Sequence, residues 1–228
     1  MLEAVLFDLD GTLLDTAPDM GGALNELRAE HDLAPLPAAT IRPWVSHGAA
    51  ALVRLAFGDG DPRGFEARRL RFLEIYAGRL AHDTALFAGG AELLDALDGD
   101  GTPWGIVTNK PAWLTLPLLE ALGLRSRAAV VVCGDTLPEK KPLPQPLLFA
   151  AAHIERAPGA CAYVGDAERD MLAASAAGMP GVIATFGYID PTTDWRHWPH
   201  VARVERLAEL RPWLLDNGLA RTRAALTS

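Results

Sequence analysis

The chain has 228 residues, half of them hydrophobic, and a formal net charge of −8. That composition supports one sizeable core with an insertion rather than disorder, and the acidic balance disfavours nonspecific attraction to nucleic acid or anionic lipid. No apolar run approaches a membrane span of about 18 residues, and Glu3 runs straight into strand-like sequence without a basic leader region, so a soluble, cytoplasmic protein is expected.

The first element is the apolar run Leu2, Ala4, Val5, Leu6 and Phe7, the pattern of a strand covered on both faces and therefore central in its sheet. It leads into FDLDGTLLD (7–15), which sets Asp8, Asp10 and Asp15 at the strand's end. Buried carboxylates there are costly to ionise unless a cation or hydrogen-bond donors meet them, so the pair asks for a metal or a lysine.

Between residues 16 and 83 helical spacing dominates (Leu24 and Leu27; Leu52, Leu55 and Ala56; Leu70, Leu73 and Tyr76) and strand-like runs are absent, which predicts a helical insertion. The sequence Asp15-Thr16-Ala17-Pro18 is suited to cap its first helix, with Pro18 near N1, and Gly58-Asp59-Gly60-Asp61-Pro62 to break it midway. Arg63, Arg68, Arg69, Arg71 and Arg79 crowd its second half, where a solvated helix face is the ordinary role of such a cluster.

After residue 90 the pattern alternates: strand 104–107, helix 113–122 with Gly123 past its end, strand 129–133, helix 145–154, strand 161–164, helix 167–177 ended by Gly178, and strand 181–184. Alternation of this kind predicts a parallel sheet with helices on both faces, in which strand one is also placed. Cys133 and Cys161 each adjoin an apolar run and are expected as buried thiols, not as a disulfide or zinc site. Trp195 and Trp198 are expected to pack on the core, with a platform for a sugar ring as the alternative, and residues 221–228 to form a frayed tail.

In open α/β sheets ligands sit outside the carboxyl ends of the strands. Those ends carry Asp8 and Asp10; Thr108, Asn109 and Lys110; Gly134 and Asp135 followed by Lys140, Lys141 and Pro142; and Asp166, Glu168 and Asp170. Each motif alone is a common turn or helix cap. Together they make a hard oxygen site without His or Cys, which suits Mg²⁺ and a substrate phosphoryl group. Asp8 is placed to attack phosphorus, and Asp10, two residues on, to protonate the leaving oxygen and then deprotonate the hydrolytic water. No GxxxxGK[ST] or GxGxxG follows the first strand, which argues against nucleotide-triphosphatase and dinucleotide sites.

FDLDGTLLD, IVTN, KKP and VGDAERD resemble, in the same order, the four motifs of the haloacid dehalogenase-like hydrolase superfamily, and the insertion after the first motif resembles the helical cap of its subfamily I. The resemblance implies a Rossmann-like, doubly wound parallel α/β core from residues 1–15 and 84–228 with an inserted α-helical cap domain from 16–83. It implies Asp8 as nucleophile and metal ligand, Asp10 as acid/base whose backbone carbonyl also meets the metal, and Thr108 and Asn109 as phosphate holders. Lys141 would balance charge and hold phosphate, Asp166 would ligate Mg²⁺, and Asp170 would support the metal directly or through water. Lys141 is chosen over Lys140 because the family lysine directly precedes proline, although Lys140 could substitute. The acid at position 10 argues against a true dehalogenase and for phosphoryl transfer.

Within the family, FDLDGTLLDTAPD, VTNKP and KKPLPQPLL resemble bacterial phosphoglycolate phosphatases, while SHGAAAL, FEARRLRFLEIY, WGIVTNKP and GYIDPTTDW look closer to N-acetylmuramic acid 6-phosphate phosphatases. Both substrates are small phosphate esters that carry a carboxylate, so a cap cation is expected, Arg68 or Arg69, with His47 either facing the substrate or serving as an exposed capping residue. A sugar phosphomutase of the same superfamily and a catalytically silent binding protein stand as alternatives. A monomer or weak homodimer is expected, with no nucleic-acid or membrane partner.

Overall fold

The apolar run at the N-terminus becomes the middle of a sheet because its side chains alternate into two apolar layers: Val5 and Phe7 pack into one, Ala4 and Leu6 into the other. The computed structural model describes residues 1–59 and 62–219. Gly60 and Asp61 of the expected break, and the expected tail 221–228, lie outside the described residues.

The strands are β1 Ala4–Phe7, β2 Leu14–Asp15, β3 Ala85–Leu86, β4 Trp104–Val107, β5 Val130–Val132, β6 Cys161–Gly165, β7 Gly181–Ala184 and β8 Ala202–Val204. Six of them form one sheet in the order β5-β4-β1-β6-β7-β8, and every neighbouring pair is parallel. β1 pairs with β4 on one side (Phe7 opposite Ile106) and with β6 on the other (Phe7 opposite Val164), so the ends of all three lie at one level.

The helices are α1 Ala17–Ala29, α2 Ala38–Ile41, α3 Gly48–Phe57, α4 Pro62–Ala77, α5 Gly90–Gly99, α6 Ala112–Ala121, α7 Gln145–His153, α8 Glu168–Ala177 and α9 Leu210–Asp216. Residues of α5, α6 and α9 fill one apolar layer against the sheet, and α7 and α8 fill the other. None of the described helices is long and apolar enough to cross a membrane.

Residues between β2 and β3 form α1 to α4 around a third apolar cluster, built on Met20, Leu24, Leu27, Leu52, Val53, Phe72 and Ile75. The chain leaves the sheet and returns to it through the antiparallel pair β2–β3, with Leu14 opposite Leu86 and Asp15 opposite Ala85. Pro18 takes the second position of α1, but Thr16 makes no side-chain cap there; its hydroxyl donates to Asp10 Oδ1 at 2.7 Å instead. Expected boundaries elsewhere hold within about two residues, the ordinary fraying of element ends. Cys133 and Cys161 are buried free thiols, and Trp195 and Trp198 pack, partly buried, on the second layer.

Candidate active site

Three acids meet at the carboxyl ends of β1 and β6, two from the loops that follow these strands and Asp170 from the first turn of α8. One carboxylate oxygen each of Asp8, Asp166 and Asp170 lies within 4.8 Å of the others, and all three side chains are buried. Lys141 stands among them with 0 % of its side chain exposed: its Nζ is 2.9 Å from Asp8 Oδ1 and 2.7 Å from Asp170 Oδ1. The ammonium also donates to the Val107 carbonyl and the Tyr163 hydroxyl, each at 2.8 Å, so it is fully committed where it stands. Lys140 lines the open cleft above.

Asp166 gathers donors from three parts of the chain: Thr12 Oγ1 at 3.2 Å to Oδ1, and Ser46 Oγ and Tyr188 N, each at 2.8 Å, to Oδ2. Gly11 makes this approach possible. Its φ is +87°, and a Cβ there would stand 2.2 Å from Asp166 Oδ2.

The crowding shows in the protonation equilibria. Burial and then Asp170 raise the pKa of Asp8 to about 6 against the opposing pull of Lys141 and Arg169. Burial followed by Asp8 and Asp170 pushes Asp166 up to about 7. Asp170 moves the other way, because Lys141 and Arg169 override its burial. A cluster of hard oxygen donors that cannot all ionise comfortably is one that a divalent cation would relieve, and the donor set fits Mg²⁺.

Asp10 lies on the cleft side and is met by a second lysine, Lys110, whose Nζ is 2.9 Å from Asp10 Oδ1 and 2.6 Å from the hydroxyl of Tyr76 on α4. Burial opposes the charge on Lys110, but Asp10 and Tyr76 outweigh it and hold the ammonium's pKa above its ordinary value. Thr108 Oγ1 accepts from Lys110 N at 3.1 Å, which leaves its proton to donate into the cleft it lines. Asn109 also lines the cleft, yet both ends of its carboxamide are taken: Nδ2 donates to Lys141 O at 2.9 Å and Oδ1 accepts from Lys141 N at 3.1 Å. Its side chain therefore seats the lysine loop.

The cleft has a volume of about 430 Å³ between these strand ends and the helices of residues 16–83. His47 and Arg69 line it; Arg68 does not, and its guanidinium lies 5.0 Å from the ring centre of Phe57. Arg69 is held by Glu66 through two hydrogen bonds of 2.8 and 2.6 Å, and Arg71 pairs with Glu30 and Glu74, the behaviour of a solvated helix face. His47 occupies the N-cap position of α3 without a side-chain cap bond, so its ring is not a capping group. Its ring sits 6.0 Å from that of Trp44, and burial and then Arg169 lower its pKa.

Lys110, Arg169, Tyr76 and Ser46 are among the contributors with no role assigned from sequence, as are Thr12, Tyr163 and Tyr188. Lys110 and Arg169 lie inside the motifs VTNK and VGDAERD, and in the second a basic residue among acids was a usable signal. Tyr76 and Ser46 reach the site only through the tertiary fold, and neither carries a local signature.

Comparison with known proteins agrees with this geometry. A family model described as haloacid dehalogenase-like hydrolase matches residues 5–184. A phosphoglycolate phosphatase of Xanthomonas campestris is 46% identical over 207 residues, covering 91% of this chain and 94% of that protein. An N-acetylmuramic acid 6-phosphate phosphatase of Pseudomonas putida is 40% identical over 219 residues, covering 96% and 98%. Among solved structures, that of a predicted phosphoglycolate phosphatase from Haemophilus somnus superposes with a TM-score of 0.82 at 26% identity, covering 93% of this chain and 97% of that one. The match runs from β1 through β7 and takes in every strand that ends at the acid cluster, so the chain is a phosphoric monoester hydrolase and belongs to the haloacid dehalogenase-like hydrolases.

Proposed function

We propose that the chain is a Mg²⁺-dependent phosphatase that works through an aspartyl-phosphate on a small carboxylate-bearing ester, N-acetylmuramic acid 6-phosphate or 2-phosphoglycolate. The observation that carries it is the convergence of Asp8, Asp166 and Asp170 around the buried ammonium of Lys141 at the floor of the cleft.

In this mechanism Asp8 attacks phosphorus while Asp10 protonates the departing alkoxide, and Asp10 then takes a proton from the water that hydrolyses the acyl phosphate. Thr108 donates to a phosphoryl oxygen, and Lys141 fixes the nucleophile's orientation and offsets the growing charge. Asp8, Asp166, the backbone carbonyl of Asp10 and, directly or through water, Asp170 would hold Mg²⁺, which supplies charge neutralisation at the phosphoryl oxygens. We assign residues 16–83 as a cap domain on the core of 1–15 and 84–228; the Ser46–Asp166 and Tyr76–Lys110 bonds tie it to the chemistry, where it excludes water.

The cleft's size favours the sugar phosphate. A two-carbon acid phosphate would leave most of about 430 Å³ to water, whereas an amino-sugar acid phosphate would use both the polar floor and the apolar wall of Met20, Val45, Leu73 and Leu114. His47 and Arg69 are the cap side chains placed to meet the substrate.

The test is phosphate release with Mg²⁺ from both esters side by side, compared as kcat/KM, with Asp8→Asn as control and isomer formation assayed in parallel. The expected result is metal-dependent release, higher on the sugar phosphate and abolished in Asp8→Asn. Release that persists in Asp8→Asn would overturn the covalent mechanism, and isomer without phosphate would make the enzyme a mutase.

A further inference from the structure

Arg169 lies in the first turn of α8, directly before Asp170, yet its side chain reaches the nucleophile: Nη2 stands 3.9 Å from Asp8 Oδ2. The two oxygens of Asp8 are thereby divided. Oδ1 accepts from Lys141 Nζ at 2.9 Å and from Leu9 N at 2.7 Å, while Oδ2 has the guanidinium as its cationic neighbour.

At 3.9 Å the guanidinium is beyond hydrogen-bonding range of Asp8. Its Nε is buried without a hydrogen-bond partner, and the side chain, 22% exposed, lines the catalytic cleft as well as the adjoining cavity of about 300 Å³ beneath Ser46 and His47. A largely desolvated cation with an unfilled donor beside the reacting atom is costly unless an anion arrives to complete it. A phosphoryl group joined to Asp8 would bring oxygens to that place, and a planar guanidinium matches them with paired donors.

We propose that Arg169 is a further phosphoryl-binding residue, which clamps the transferring group from the Oδ2 side of Asp8 while Lys141 holds the Oδ1 side. This rests on the phosphatase mechanism proposed above. Thr108 would then be joined by a second side-chain contact that follows the phosphoryl oxygens through the reaction, while Lys141 keeps Asp8 itself in place. Two other roles compete: charge balance among Asp8, Asp166 and Asp170, and recognition of the substrate's carboxylate. Each differs from the clamp in what it predicts for phosphate itself.

The experiment compares wild type, Arg169→Gln and Arg169→Lys, with Mg²⁺, on N-acetylmuramic acid 6-phosphate and on p-nitrophenyl phosphate, which has no carboxylate. Inorganic phosphate is the probe for binding, read as competitive inhibition and as the shift in thermal midpoint it produces. Arg169→Gln is expected to lower kcat about 100-fold on both esters, the usual loss of one electrostatic contributor, to weaken phosphate inhibition about tenfold, and to reduce the phosphate-induced thermal shift accordingly. Arg169→Lys should fall between.

Phosphate inhibition and thermal shift equal to wild type in Arg169→Gln would overturn the clamp, whatever its kcat, and leave charge balance. A defect confined to the carboxylate-bearing ester would overturn it in favour of substrate reading. Should Arg169→Gln fail to fold, Arg169→Lys decides, because retention of charge without the fork must still weaken phosphate inhibition. A wild-type protein that releases no phosphate from either ester would remove the mechanism itself, an outcome separate from any behaviour of the variants.

Discussion

Replacing Lys141 by Met keeps the length of the side chain and removes the ammonium that lies within 3 Å of two buried carboxylates. The ammonium lies 2.9 Å from Asp8 and 2.7 Å from Asp170, so at an effective dielectric of about 20 each pair is worth about 6 kcal/mol of gross attraction before desolvation is counted. Most of that offsets the cost of burying three charges, and loss of one partner from such a cluster destabilises by about 3–5 kcal/mol because the remaining charges stay buried and unpaired. The Val107 carbonyl and the Tyr163 hydroxyl lose a donor as well.

The deficit carries a pH signature. Asp8 already sits at about 6 and rises further without Lys141, while Asp170 loses the cation that does most to hold it below its ordinary value and moves up as well. The folded variant then binds protons that the unfolded chain does not, so its stability falls as pH rises. Urea unfolding of metal-free wild type and Lys141→Met should therefore differ by about 3–5 kcal/mol at pH 7.5 and by clearly less at pH 5. A difference below about 1 kcal/mol at pH 7.5, or one that does not depend on pH, would refute the account of Lys141 as the shared counter-ion. Turnover of the folded variant should be nearly lost.

Gly11→Ala puts a Cβ on Asp166 at a φ that L-residues rarely adopt; we expect a strain of about 1–3 kcal/mol and weakened Mg²⁺ binding by isothermal titration, and unchanged metal affinity would contradict the packing described. In Tyr76→Phe the Lys110 ammonium loses its 2.6 Å partner, which should cost about 1.5–3 kcal/mol and lower kcat without unfolding the core; wild-type kcat would show that the contact is idle. Metal-free protein should lose stability from pH 5 to pH 8, because the raised carboxyls of Asp8 (about 6) and Asp166 (about 7) ionise only in that window when folded. Since Mg²⁺ displaces those protons, the thermal shift it produces should grow over the same range, and a shift that is flat with pH would count against these two acids as ligands.

How much was legible depended on whether the signal was local. Strands β4 to β7 announced themselves because each is a short apolar run between turn residues, and β1 because an unbroken apolar run needs cover on both faces. β8 was not foreseen: Ala202–Val204 carries only one buried position, at an edge of the sheet, too little pattern to separate it from loop. The acids were readable because they follow the strand ends, and Lys141 because the family resemblance sets its lysine directly before a proline. Ser46 was not, since it is 120 positions from Asp166, and an ordinary serine in a helical turn gives no hint of such a partner. Asn109 was readable as a rim residue but not as the clasp of the Lys141 backbone, because an amide serves phosphate and peptide equally well.

The strand order explains why motifs spread over more than half of the chain can act on one phosphorus atom. β1 is bracketed by β4 and β6, so the loops that follow these three strands deliver Asp8, Thr108 and Asp166 to a single rim. Lys141 comes from beyond β5, the edge strand, and must cross behind Thr108 to reach Asp8; the two Asn109 bonds to its backbone bridge that distance. The helical insertion leaves from the same rim, shortly after Asp10, and returns beside its own departure point through β2–β3. Its polar contacts with the rim therefore fall on groups of consequence: Thr16 and Tyr76 converge on Asp10 and Lys110, and Ser46 on Asp166. Loss of the Ser46 or Tyr76 hydroxyl should thus be felt in turnover, because what these hydroxyls touch is the acid and lysine of the rim, whereas the Tyr76 ring packs in the apolar cluster of the insertion.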